Sequence, residues 1–185
     1  LFYPFQWSAE EQRVHYMTHF PAPPPVWEQL AGAGVRTLAV DPYESRPPAV
    51  TPAGTMVCGW QFHDRVVLRR WDRPDGSLKR LERLFGPPEP VDEVFGLHQA
   101  REMLGLRRRL VRAPGRVADA TTFLLGGEAV DLAWSTFSAA HVAGHQFWDL
   151  SQIDPNGLDD DAERLLSGAL DEVYVEVDRA IGRIV

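Results

Sequence analysis

The pattern of apolar and polar residues along the chain predicts alternating helices and strands, as in an α/β protein. Residues 23–34 (PPPVWEQLAGAG) predict a short helix with prolines at its start and glycines at its end. The apolar, β-branched run 35–40 (VRTLAV) predicts a strand, which ends in a turn at Asp41-Pro42. Helix, glycine turn and strand form half of a crossover unit.

The rest of the chain continues this alternation of helices and strands, except in the arginine-rich middle of the sequence. Residues 55–62 predict a second strand, and residues 129–137 (AVDLAWSTF) predict a buried parallel strand. Residues 158–181 place leucines and valines at helical spacing, and three aspartates lie at the start, where the helix dipole favours negative charge. They predict one amphipathic helix that packs on the sheet. The arginine-rich stretch 64–127 reads as an insertion or cap with a helix near residues 94–112. We expect residues 1–185 to form a single α/β domain.

Composition narrows the possible partners and the compartment. The net charge of −7 argues against general affinity for nucleic acid or anionic membrane, so a phosphorylated substrate would need local neutralisation, for instance by a bound metal. No apolar stretch is long enough for a spanning helix. The single cysteine excludes an intramolecular disulfide, and the opening residues lack the pattern of a signal peptide, so we expect a cytoplasmic protein. Because the chain starts at Leu1 rather than Met, we expect it to be an internal piece of a longer protein.

Two histidines lie just past the strand predicted at residues 129–137. In open α/β sheets, ligands bind beyond the carboxyl ends of the strands, where His141 and His145 fall. If this segment is helical, their four-residue spacing places both imidazoles on one face, where they can reach a single ion, most naturally zinc. A catalytic zinc site needs a third protein ligand, and the nearest candidates are Asp149 and Asp154.

The alternative interpretation of this segment is packing. One histidine would then cap the strand and the other would pack against Phe147 or Trp148. These two aromatic residues directly follow the proposed ligands, so they are also candidates to line a substrate pocket.

Two segments carry a resemblance to a known family. Residues 137–150 (FSAAHVAGHQFWDL), preceded by the strand VDLAWST, resemble the metal-binding turn of the form Asp-x-x-Gly-His in the type I phosphodiesterase and nucleotide pyrophosphatase family, within the alkaline phosphatase superfamily. Residues 23–45 resemble that family's helix, strand and Val-Asp-x-Pro loop. His145 matches the metal-ligating histidine, whereas His141 stands where the wider family has an aspartate.

The resemblance implies an alkaline phosphatase-like three-layer α/β/α sandwich with a mostly parallel sheet, here incomplete at both ends. It implies a metal-dependent hydrolase of phosphate mono- or diesters that acts on a small phosphorylated substrate. The intact site of that family holds two divalent metal ions, for which zinc is the natural choice. The chain holds no match to the family's early aspartate, hydroxyl nucleophile or Asp-His-Gly segment, so we assign no catalytic residue and expect the 185 residues alone to be inactive.

Two other functions share the same features. A sulfatase, or another enzyme of the superfamily, would keep the metal scaffold and change the nucleophile and the pocket. A degenerate α/β binding module would keep the fold and lose the metal. The sequence leaves the oligomeric state open.

Overall fold

The computed structural model describes residues 5–16, 24–42, 46–49, 53–62, 70–91 and 96–185. These ranges contain helices and strands in a mixed α/β arrangement, which confirms the expected fold class at that level. In chain order the elements are β1 (Phe5–Ser8), β2 (Arg13–Tyr16), α1 (Val26–Gly32), β3 (Thr37–Val40), β4 (Met56–Cys58), β5 (Trp71–Arg73), α2 (Ser77–Phe85), α3 (Ala100–Leu125), β6 (Leu132–Ser135), α4 (Ser138–Phe147), α5 (Asp160–Ser167) and α6 (Ala169–Ile184).

The main sheet is small and mixed, with the strand order β5-β4-β3-β6. β3 pairs in parallel with both of its neighbours, with Val40 opposite Val57 of β4 and opposite Ser135 of β6. β5 pairs antiparallel with β4, and β1 and β2 form a separate antiparallel hairpin. The carboxyl ends of β3, β4 and β6 therefore meet at one edge of the sheet, which we call the carboxyl edge.

Successive side chains of a strand point to opposite faces of a sheet. Both faces of this sheet carry apolar side chains, and helices cover both. Leu38 and Val40 point to the face where α2 and α3 pack, together with Val57 of β4. Ala39 points to the opposite face, where it meets Trp27 of α1. The expected order of helix, glycine turn and strand at residues 23–40 is confirmed.

α3 connects the sheet to a group of helices. Its carboxyl-terminal part packs on the sheet through Val117 and Leu124, whereas its amino-terminal part packs on α4, α5 and α6 through residues such as Leu110. The helix expected at 94–112 is therefore longer and shifted, and the buried Pro114 lies inside it. β5, α2 and α3 all lie within residues 64–127, and the division of the chain into a domain and an insertion stays a prediction.

Two expectations about the last element of the chain are wrong. The single helix predicted at 158–181 is divided into α5 and α6, because the chain adopts a helix-ending geometry at Gly168. α6 packs mainly on α3 and α4 rather than on the sheet.

The strand predicted at 129–137 is parallel, as expected, but it is not buried. β6 pairs with β3 on one side, and in the described part of the chain no strand pairs with its other side. Trp134 is 47% exposed and makes an edge-to-face contact with Trp27, with ring centroids 6.3 Å apart. Within the ranges given above, the structure contains no helix that is long and apolar enough to cross a membrane.

Candidate metal centre

α4 begins at the carboxyl edge of the sheet. The Thr136 amide directly after β6 donates to the Val40 carbonyl of β3 at 3.1 Å, so the ladder between these strands continues almost to the start of the helix. One side of α4 is apolar and packs in the core against α3 and α6, through residues such as Val142 and Ala143. The opposite side faces outward.

His141 and His145 lie next to each other on the outward face of α4. Their ring centroids are 4.4 Å apart and the ring planes are inclined by 51°. Both residues are exposed. The four-residue spacing has therefore placed the two imidazoles side by side, as residues one helical turn apart should be. Their role as metal ligands stays a prediction.

This pair fits part of a zinc site. Zinc accepts imidazole nitrogens at about 2.0–2.1 Å, and two adjacent rings on one helical face can both approach one ion at that distance. A catalytic zinc site has three protein ligands. In the ranges that the structure covers, no group of three or more His, Cys, Asp or Glu side chains is placed to hold a metal ion.

The two aspartates considered as a third ligand have other partners. Asp149 accepts hydrogen bonds from the backbone amide of Ser151 at 2.9 Å and from its hydroxyl at 2.8 Å. Asp154 accepts bonds from the backbone amide of Asn156 at 2.9 Å and from the Gln99 side chain at 3.0 Å. These donors stabilise the charged carboxylates and hold the pKa of both groups below its ordinary value, the backbone amide being the main cause in each case. Both aspartates therefore cap short 3-10 turns, and among the described residues neither forms a three-ligand group with the histidine pair.

The two aromatic candidates lie in different surroundings. Phe147 is only 4% exposed and belongs to the core between α3, α4 and α6. Trp148 is 82% exposed. Of the two, Trp148 is the side chain that a molecule outside the protein can reach, and a role of either residue in substrate binding stays a prediction.

Two buried polar residues at the carboxyl edge, Asp41 and Gln61, were not predicted from the sequence as part of the site. Asp41 follows β3 and is 3% exposed, with a backbone φ of 55°, in the left-handed region. Its carboxylate accepts hydrogen bonds from three successive backbone amides after β4: that of Gly59, that of Trp60 at 3.0 Å and that of Gln61 at 2.6 Å. The turn at Asp41-Pro42 was predicted, but nothing in the sequence indicated which amides the carboxylate would bind.

Gln61 connects this network to α4. Its side-chain amide donates to the Thr136 carbonyl at 2.7 Å, and its side-chain oxygen accepts from the Ser138 amide at 3.2 Å. A buried glutamine in an apolar run is a weak sign of such a bridge, because buried amides need partners but their partners can lie anywhere.

Comparison of the chain with models of protein families, with curated proteins and with solved structures gives no match.

Proposed function

We propose that this chain is part of a metal-dependent hydrolase of phosphate mono- or diesters, of the phosphodiesterase and nucleotide pyrophosphatase type. His141 and His145 would hold one metal ion, most naturally zinc. The observation that carries the proposal is the placement of the two rings 4.4 Å apart on the outward face of a helix that begins at the carboxyl edge of the sheet. The fold proposed with it is the alkaline phosphatase-like sandwich.

The chemistry of the chain is consistent with such a role. With a net charge of −7, the protein would repel a phosphate ester unless positive charge were concentrated locally. A bound metal supplies that charge and stabilises oxygen atoms that become more negative during hydrolysis. The chain's own contribution would be to present two neutral nitrogen ligands from a rigid helix, since Phe147 and Val142 anchor the opposite face of α4 in the core. The hydroxyl nucleophile is not assigned to any residue of this chain.

The test compares ligand variants of the full-length protein that contains this chain. Metal per protein is measured by elemental analysis, and turnover is measured with an aryl phosphodiester. We expect His145→Ala to lose one metal ion and to lower turnover by more than about 100-fold, because even partners outside the ligand shell cost 10-fold to 100-fold. We expect His141→Asp to keep its metal, because an aspartate also ligates zinc.

The matched control is His15→Ala. His15 lies on the separate hairpin, where it contacts Glu11 at 3.0 Å. This variant therefore removes an imidazole that is not part of the proposed site. Unchanged metal content in His145→Ala would contradict the proposal. Turnover of an aryl sulfate but not of the phosphodiester would replace it with the sulfatase alternative.

A binding module without metal is the second candidate. The observation in its favour is that the ranges covered by the structure hold no third ligand for the histidine pair. If the full-length wild-type protein bound no metal and hydrolysed no ester, the histidines would be surface residues of such a module.

A further inference from the structure

The first turn of α4 is capped by a residue from a distant turn. The amides of the first turn of a helix have no partner within the helix, and a side chain at the position before the helix often accepts from them. Here that position is Phe137, which has no side-chain acceptor, and the helix shows no side-chain cap of its own. The side-chain oxygen of Gln61, which follows β4, accepts from the Ser138 amide instead.

Gln61 holds both sides of the junction between β6 and α4. Its nitrogen donates to the carbonyl of Thr136, before the helix, and its oxygen accepts from the amide of Ser138, the first helical residue. The residue is only 4% exposed, so water does not compete freely for these bonds. One planar amide therefore bonds to the strand end and to the helix start together.

The backbone of Gln61 is itself fixed from two directions. Its amide donates to the Asp41 carboxylate at 2.6 Å, and its carbonyl accepts from the Glu89 amide at 2.8 Å. A chain of hydrogen bonds thus runs from the end of β3 through the turn after β4 to the start of α4. Together with the core contacts of Val142 and Phe147, this chain of hydrogen bonds fixes α4 at the end where it leaves the sheet.

The direction in which α4 leaves the sheet matters for a metal held by α4. The spacing between His141 and His145 is set within the helix, but any further ligand and the substrate must come from outside it. His145 lies about 10 Å along the helix axis from Ser138, so a tilt of about 10° at the first turn moves its ring by nearly 2 Å. Metal ligands tolerate deviations of only about 0.2 Å.

We propose that Gln61 is a positioning residue for the His141 and His145 pair, acting by capping α4 from the turn after β4. This inference rests on the proposed function, because it assumes that the pair binds metal together with groups outside α4. Gln61 does not contact the metal. It determines where the two nitrogen ligands are presented relative to the carboxyl edge.

The experiment measures zinc affinity by competition with a chromophoric chelator in the full-length protein. Gln61→Met removes both hydrogen bonds at similar volume, whereas Gln61→Glu keeps an acceptor for the Ser138 amide and loses the donor to Thr136. We expect Gln61→Met to raise the zinc dissociation constant at least about tenfold, and Gln61→Glu to raise it less. Gln99→Met, which removes an exposed amide that bonds to Asp154, is the matched control and should bind zinc as wild type does.

A second readout needs no metal. In Gln61→Met without zinc, we expect faster hydrogen exchange of the Ser138 amide, and in Gln61→Glu exchange closer to that of the wild type. If Gln61→Met does not fold, the zinc affinity and the Ser138 exchange of Gln61→Glu are compared with those of Gln99→Met instead. Wild-type zinc affinity and wild-type exchange in the folded Gln61 variants would overturn this inference alone. A wild-type protein without zinc affinity would overturn the proposed function and this inference with it.

Discussion

The two sides of α4 are built in different ways. The inward side and the first turn are held by an apolar core and by a buried hydrogen-bond network, through residues such as Phe147 and Gln61. The outward side carries two exposed imidazoles and the exposed Trp148. Substitutions on the inward side should change stability, and substitutions on the outward side should change what the protein binds. The difference between the two sides separates residues that support the site from residues that would act in it.

The largest expected effect contrasts two neighbouring aromatic residues. Phe147→Ala should lower the free energy of unfolding by about 3–5 kcal/mol, because it leaves a cavity in the core. Trp148→Ala should change it by no more than about 0.5 kcal/mol, because Trp148 is largely exposed. Chemical denaturation of both variants against the wild type measures the contrast. Equal losses in the two variants would show that the inward and outward sides of α4 do not differ as described.

The buried network at the carboxyl edge should give the next largest effect. Asp41→Ala removes the acceptor of three backbone amides and leaves an alanine in a left-handed conformation, so we expect a loss of about 2–4 kcal/mol in the free energy of unfolding. Asp41→Asn should cost less, since asparagine adopts this conformation and keeps one acceptor oxygen. Asp41→Gly separates the two causes, because it relieves the backbone strain without restoring the bonds. Denaturation of the three variants should rank them Asn, Gly and Ala, and a loss as small in Ala as in Asn would refute the role of the carboxylate.

A smaller effect concerns the pH dependence of the two capped turns beside α4. Asp149 and Asp154 accept hydrogen bonds from backbone amides. These bonds hold the pKa of both carboxyl groups below the ordinary range in the folded protein. Their contribution is therefore fully present above the unfolded pKa of about 3.9 and is lost as the pH falls through the lower folded pKa. The double variant Asp149→Asn, Asp154→Asn should lose less stability than the wild type as the pH falls below about 4. Denaturation across that range measures the slope, and equal slopes in both proteins would contradict the capping roles.

Local patterns predicted the parts of the molecule that depend on nearby residues. The glycine turn before β3 and the shared face of His141 and His145 both follow from spacing along the chain, which is why they could be read from the sequence. The helix predicted near residues 94–112 instead continues past Pro114 to Leu125, because packing in the core on both sides keeps α3 continuous. The bridge from Gln61 to Ser138 joins residues 77 positions apart, so no local pattern could indicate it. The ligand role of the pair still rests on the resemblance.

Without metal, the smallest effect on stability should come from the histidine pair itself. In the absence of metal, His145→Ala and His141→Ala should each change the free energy of unfolding by no more than about 0.5 kcal/mol, because both side chains are exposed. Zinc at a hundred times its dissociation constant should stabilise the full-length wild type by about 2.7 kcal/mol, since it binds the folded state. That increment should disappear in His145→Ala and remain in His141→Asp, which keeps a ligating side chain at the same position. Thermal or chemical denaturation with and without zinc measures it, and a zinc-dependent increment in His145→Ala equal to that of the wild type would show that the outward face of α4 does not hold the metal.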